Sequence, residues 1–322
     1  MSALEDLFEH AGPDDIILPF QIDPYGLRGR LIRLGPVVHD ILGRHDYPEP
    51  VAAMLGETMA LAACLAGALK YEGVFTLQTK SDGPIGTLMA DITSAGEMRA
   101  YARYDAERLQ AVDPVAAAER SVPRLLGGGY IAFTVDQGGN TDRYQGIVEL
   151  EGHTLSECTH SYFRNSEQLE AGVKLAANRI DTPDGPVWRA GALMIQRLPY
   201  QKDLPGRPSE DEYDETWRTA VTLMSSSTAP ELLSTELAPD RLLFRLFHSE
   251  GVRAYPAQPV LDSCRCSGER VERVLQTLSD EELADLRQDG DIVVVCEFCK
   301  RDWRYDDGAL AALRESSENP AF

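Results

Sequence analysis

Positive charge is what this chain has least of. Its 322 residues carry 31 Lys and Arg against 52 Asp and Glu, a formal net charge of −21. Binding phosphate backbones needs a basic face, so duplex and single-stranded nucleic acid are poor candidates for a main partner. No apolar run reads as long enough to span a bilayer. Met1 to His10 is acidic and amphipathic, without the basic n-region of a secretory signal. The expectation is a cytoplasmic protein with no nucleic-acid and no membrane partner, in a reducing compartment where thiols stay free. A phosphate loop is missing too. After Gly127-Gly128-Gly129 there is no lysine and hydroxyl, so the glycines read as a turn or a close backbone approach. Few strands are joined through helices of crossover length, which disfavours a parallel, doubly wound sheet.

Bulk composition is ordinary for a soluble globular chain with room for two domains: 43% hydrophobic and 26% charged. The acidity favours solubility and self-repulsion, an advantage to a protein that must expose apolar surface. Cysteine is sparse but unevenly placed. Of six, four fall in two knots near the C-terminus, Cys264-Arg265-Cys266 and Cys296-Glu297-Phe298-Cys299. Two short cysteine pairs separated by a small subdomain are how a chain builds a four-thiolate zinc site. Four thiolates fill the tetrahedral zinc shell and leave no position for water, so the metal's expected role is structural or regulatory, not hydrolytic. In extended backbone, residues i and i+2 point to one side, so Cys264 and Cys266 can grip one ion. Each pair is also close enough for a local disulfide. Spacing alone leaves both states open: zinc on four thiolates, or two disulfides and no zinc. Cys64 and Cys158 lie at helical spacing among apolar residues and read as core thiols.

Along the chain, Gly26 to Leu34 reads as a strand, Pro36 to Arg44 as a short helix, and Val51 to Leu69 as a long buried helix. A β region follows, with strands at Gly73–Lys80, Ile85–Ile92, Met98–Tyr104, Tyr130–Val135 and Arg143–Leu150. A helix is expected near Asp113–Glu119 and a hairpin turn at Gly138-Gly139-Asn140. Thr154 to Gln168 reads as a helix, and Val173–Ile180 with Trp188–Leu198 as a final hairpin. The fold class is α+β, with a mixed helix and largely antiparallel sheet domain over 1–198. A helical linker spans 199–260. It opens on the Pro/Gly-rich stretch Gln201–Ser209 and continues through an acidic helix carrying Trp217, then Glu231–Leu237 and Asp240–Phe247. These last helices are too short to hold themselves in water. A small zinc-binding domain spans 261–322, with helices at Glu269–Leu278, Asp280–Gln288 and Asp306–Arg314 and a strand at Asp291–Cys296. With little core of its own, it would depend on metal to fold.

The run Cys264-Arg265-Cys266-Ser267-Gly268-Glu269-Arg270, then Leu275-Gln276-Thr277-Leu278 and Asp280-Glu281-Glu282, resembles the redox-regulated 33-kilodalton bacterial heat-shock chaperone family. So do His45-Asp46-Tyr47-Pro48, Asp82-Gly83-Pro84, Tyr144-Gln145-Gly146-Ile147-Val148 with Glu151-Gly152, and Ser166-Glu167-Gln168-Leu169. The resemblance spans nearly the whole chain. It implies a non-enzymatic, ATP-independent holdase for unfolded or partly unfolded client proteins, held inactive as a monomer with Zn²⁺ on Cys264, Cys266, Cys296 and Cys299. Oxidation would pair Cys296 with Cys299 and Cys264 with Cys266, release zinc, unfold the metastable linker and give an active homodimer. Trp217, Leu243, Phe244 and Phe247 are the candidates for contacting clients. Where the family has glycine after its second pair this chain has Lys300, which must take a left-handed backbone if the turn is kept. Arg265, Arg270, Lys300, Arg301 and Arg304 are the basic residues near enough in sequence to favour thiolates. The rival readings are a non-redox zinc-ribbon adaptor for a partner protein and a thiol-disulfide oxidoreductase. The latter lacks the thioredoxin-like context its Cys-x-x-Cys would need.

Overall fold

Two adjacent strands set the architecture. β1 (Ile16–Ile22) places Ile16, Leu18, Phe20 and Ile22 on one face and Ile17 on the other. β2 (Leu27–Leu34) sends Leu27 and Leu31 one way, Ile32 and Leu34 the other. Neighbouring strand residues face opposite sides of a sheet, so strands apolar on both faces need cover on both. The sequence does not announce β1, because its apolar run lacks the period-two alternation that marks a strand.

The structure, a computed structural model, describes residues 14–22, 26–69, 71–114, 121–138, 143–164, 170–199 and 209–318. The helix expected over Asp113–Glu119, the turn at Gly138-Gly139-Asn140 and the stretch Gln201–Ser209 lie largely outside these residues. The chain divides into two compact units, Met1–Asp262 and Ser263–Phe322.

In the first unit, β1 and β2 are followed by α1 (Pro36–Gly43), α2 (Glu49–Ala66), β3 (Val74–Ser81), β4 (Ile85–Thr93), β5 (Glu97–Tyr104) and α3 (Ala106–Gln110). Then come β6 (Gly129–Asp136), β7 (Tyr144–Glu149), α4 (Leu155–Tyr162), β8 (Ala171–Thr182) and β9 (Gly185–Arg197). With the later strands β10 (Val252–Ala254) and β12 (Leu261–Asp262), one sheet has the order β10-β1-β2-β9-β8 and the other β12-β5-β4-β3-β6-β7. Every described pairing is antiparallel except β12 with β5. α2 packs on strands of both sheets. It is the one described helix long and apolar enough by composition to cross a membrane, which corrects the expectation that no such run exists. Its apolar window is 78% buried within the protein, so it is a core helix. The glycine knot is a close approach, as expected: Gly127 and Gly129 have φ of 71° and 150°, and a Cβ on Gly129 would lie 2.1 Å from the Lys80 carbonyl.

The outer face of the first sheet is covered by α5 (Glu210–Ser226), α6 (Ala229–Leu233) and α7 (Pro239–Phe247). These begin on capping residues the sequence supplies: Ser209 and Glu212 close a capping box on α5, Thr228 and Glu231 on α6. Beyond α7, β10 (Val252–Ala254) and β11 (Gln258–Pro259) pair with β1, and β12 (Leu261–Asp262) pairs with β5. The segment read as a linker, 199–260, thus adds two strands to the first sheet, and the two residues after it, read as the start of the zinc-binding domain, add one to the second.

Three cations hold this cover by its main chain and charges. Arg33, fully buried, donates to the carbonyls of Ser234 at 2.8 Å, Leu237 at 2.5 Å and Glu231 at 2.9 Å. Burial pushes its guanidinium down to about 10, yet leaves it charged at neutral pH. Lys174 donates to the carbonyls of Ser225, at 2.9 Å, and Ser227. Arg197 pairs with Glu170 and Asp214 and lies 4.1 Å over the Tyr213 ring. Arg33→Met would leave three carbonyls without their donor, at about 1–3 kcal/mol for each that stays buried. The reduced chain should lose about 3 kcal/mol or more in urea unfolding, and protease should cut first within 209–262. An unchanged urea midpoint with an unchanged cutting pattern would dismiss the clamp.

Candidate metal centre

The second unit is built around a hairpin. α8 (Gly268–Leu275) and α9 (Asp280–Asp285) precede β13 (Arg287–Gln288), β14 (Asp291–Val295), β15 (Asp302–Tyr305) and α10 (Asp307–Glu318). The strand β15 is additional to the sequence reading, which has no strand between the second knot and the closing helix. β14 pairs with β15 up to Val295 opposite Asp302, so Cys296-Glu297-Phe298-Cys299-Lys300-Arg301 is the hairpin's turn. Within it Cys296 N–H donates to the Arg301 carbonyl at 2.8 Å and Lys300 N–H to the Cys296 carbonyl at 2.9 Å. Lys300 closes the turn at φ 59°, the left-handed conformation that lysine adopts only at a cost. The first knot runs directly into α8, whose N-cap Ser267 accepts from Arg270 N–H.

The folding of these pieces brings the four cysteines together. Their sulfurs all lie within 4.8 Å of one another, with Cys264–Cys296 at 3.7 Å and Cys266–Cys299 at 3.4 Å. A zinc tetrahedron with Zn–S near 2.3 Å has S–S edges of about 3.8 Å, so the spacing fits a four-thiolate ion. All four are free thiols here. The donors are soft sulfurs, which select zinc over magnesium or calcium. Among the described residues the unit has a small buried cluster, Leu275, Leu283, Ile292, Tyr305 and Leu310, with half-buried apolar residues such as Val271 and Trp303 packed against it.

The six thiols separate by environment. Burial pushes Cys64 up to about 12 and Cys158 up to about 11, so both are inert core thiols, as the sequence suggests. At Cys264 burial also works against the thiolate. The Cys266 N–H and hydrogen bonds from the Cys266, Cys299 and Cys296 thiols outweigh it and bring Cys264 down to about 7. Cys266 is pushed up by burial and by donating to Cys299 and Cys264, and Cys296 is pushed up chiefly by burial. The leading stabilisation of the Cys264 thiolate thus comes from backbone and sulfur hydrogen bonds, not from neighbouring arginines. Arg270 instead donates to the Arg265 carbonyl at 2.8 Å, and Arg304 pairs with Asp302.

The candidate client-contacting residues lie in the first unit. Leu243 and Phe247 are 1% and 0% exposed, and Phe247 stacks on Phe20 with ring centroids 5.7 Å apart. Trp217 is half-buried against the same apolar layer, whereas Phe244 is 58% exposed. Sequence reasoning missed Arg33, Lys174 and Arg197. The available signal was Arg33 in phase with Leu27 and Leu31 on an otherwise apolar face of β2.

Fold and site together define an α+β protein of two units, the smaller organised on four cysteines that can hold a metal ion. The Hsp33 protein family profile matches residues 15–306. The chain is 39% identical over 294 residues to the 33 kDa chaperonin of Caulobacter vibrioides, covering 91% of this chain and 95% of that one. It is also 39% identical over 303 residues to the 33 kDa chaperonin of Ectopseudomonas mendocina, covering 93% and 95%. The crystal structure of the Thermotoga maritima 33 kDa chaperonin shares the fold, with a TM-score of 0.73 at 22% identity over 95% of this chain and 99% of that one. The chain belongs to the Hsp33 family of chaperones.

Relieving the strain at Lys300 tests the turn. Lys300→Gly should stabilise the zinc-loaded second unit by about 1 kcal/mol, since glycine takes positive φ freely but is looser when unfolded. Zinc should then be held about fivefold more tightly against a competing chelator. Weaker zinc retention would show that the lysine side chain supports the turn.

Proposed function

We propose that this chain is a redox-regulated, ATP-independent holdase that binds unfolding proteins under oxidative stress. The observation that carries the reading is the four-cysteine cluster, set in a unit whose described residues form only a small apolar core. Such a unit has too little apolar burial to stand alone, so its order is tied to the state of its sulfurs. Cys264, Cys266, Cys296 and Cys299 would hold Zn²⁺. Bound zinc supplies cross-links between the two knots in place of a larger core, a contribution of ~10–16 kcal/mol apparent in small zinc modules.

Oxidation acts on the cysteines themselves. The thiolates of Cys296 and Cys299, then those of Cys264 and Cys266, give up two electrons per pair as each disulfide forms, and hydrogen peroxide takes these, with two protons from solvent, on becoming two waters. A disulfide sulfur is no longer a thiolate ligand, so the knots lose their common anchor and the unit over 261–322 unfolds. The linker over 199–260 is the metastable element. Ser263 alone separates β12 from Cys264, so disorder at the knot reaches β12 through the backbone. Once α5 to α7 leave the first sheet, Trp217, Leu243 and Phe247 join Phe244 at the surface, beside the apolar face they covered. Clients bind there. The reduced protein is a cytoplasmic monomer and the oxidised one a homodimer. No catalytic residue is assigned.

Two experiments test this reading. The zinc-loaded protein is treated with peroxide or hypochlorous acid under mild heat, while zinc release and suppression of a denaturing client's aggregation are followed together. Both should rise together, with four thiols lost. Retained zinc, or lost zinc without holding activity, would favour the non-redox adaptor, and turnover in disulfide exchange would favour an oxidoreductase. In the second, Cys264→Ser with Cys266→Ser should abolish zinc binding and make the region beyond residue 262 protease-sensitive without oxidant. A variant as resistant as the parent would sink the proposal.

A further inference from the structure

Where α2 ends, a cavity of about 460 Å³ opens between the two large sheets, within the ~300–1,000 Å³ of small-molecule sites. Its walls are greasy, with Leu65, Phe75, Phe133 and Tyr162 among them. Its polar end is formed by Arg28, Arg30 and Gln196. The strand period explains their placement. Arg28 and Arg30 alternate with Leu27, Gly29 and Leu31 on β2, so they share the inner face with Ile32 and Leu34. Among the described residues lining the cavity there is no carboxylate, in a chain with 52 acidic residues.

These charges are poorly matched by the protein. Arg30 donates from Nη1 to Gln196 Oε1 at 3.0 Å, but its Nε is buried without a hydrogen-bond partner. Burial depresses the guanidinium, and the neighbouring charge of Arg28 adds to this. Cys64 lies close enough to favour Arg30 electrostatically, yet burial keeps it a neutral thiol, so it is no counter-ion. Nor does the C-terminal end of α2 provide one: the carbonyls of Ala63, Leu65 and Ala66 already accept from the N–H groups of Gly67, Ala68 and Leu69. A buried cation and an orphaned donor at the end of an apolar cavity are complementary to one ligand chemistry. That is an apolar body with a single carboxylate, which a guanidinium binds through paired N–H···O bonds.

We propose that this cavity binds a medium-chain alkyl carboxylate, with its head on Arg30 and Arg28 and its chain between the sheets. The site is independent of the cysteine centre and of the redox reading. The test is calorimetric titration of the reduced, zinc-loaded full chain with dodecanoate below its micelle concentration. Dodecanol and dodecyltrimethylammonium serve as neutral and cationic controls. The expected result is saturable binding of one dodecanoate, at least tenfold tighter than either control. Arg30→Met and the solvent-facing Arg28→Glu should each weaken it at least tenfold, with thermal melts confirming that the variants fold. If Arg30→Met fails to fold, Arg28→Glu decides. Absence of saturable binding, several equivalent sites, equal binding of the controls, or an unchanged affinity in a folded variant would each overturn the assignment.

Discussion

A sheet with two apolar faces is the constraint from which this molecule follows. β1 and β2 have side chains to bury in both directions, so the first sheet needs two covers. One is α2, lodged against both sheets and almost wholly enclosed. The other is the α5–α7 segment, which follows β9 in the chain and lies against the second face. The two covers differ in kind. α2 is held by burial over most of its circumference, whereas the later helices are acidic at their starts and pinned by Arg33, Lys174 and Arg197. Under the proposed function the second cover is the one released while the first keeps the fold intact, and what it would uncover is an apolar surface on a stable base.

The small unit shows the complementary economy. Its two knots occupy the turn of one hairpin and the approach to one helix, places where local hydrogen bonding already fixes the backbone. Long-range folding need only bring the two together. With a metal bound, the sulfurs would provide, in four atoms, the connectivity for which a larger domain would need a full apolar core. Cys64 and Cys158, by contrast, are buried in the first unit, away from the cluster.

Much of this was legible in the sequence because it is local. The knots, the glycine turn at Gly127–Gly129 and most of the hairpins are carried by spacing and residue type within a few positions. Lys300 in a left-handed turn was readable from its position after the second pair. What was not legible depends on partners far away in the chain. β10, β11 and β12 are two or three residues long and exist as strands because β1 and β5 offer them edges. The burial of Leu243 and Phe247 beside the exposure of Phe244 follows from which side of α7 meets the sheet. Arg33 looks like one of several arginines in β2 until the turn after α6 is placed over it.

That Arg33 grips only main-chain oxygens has an evolutionary side. The identities of residues 231, 234 and 237 are invisible to it, so long as the backbone passes along the same path. Natural drift can therefore rewrite the turn's side chains without having to reinvent the fastening. If the segment is released as proposed, one arginine can serve many calibrations of that release.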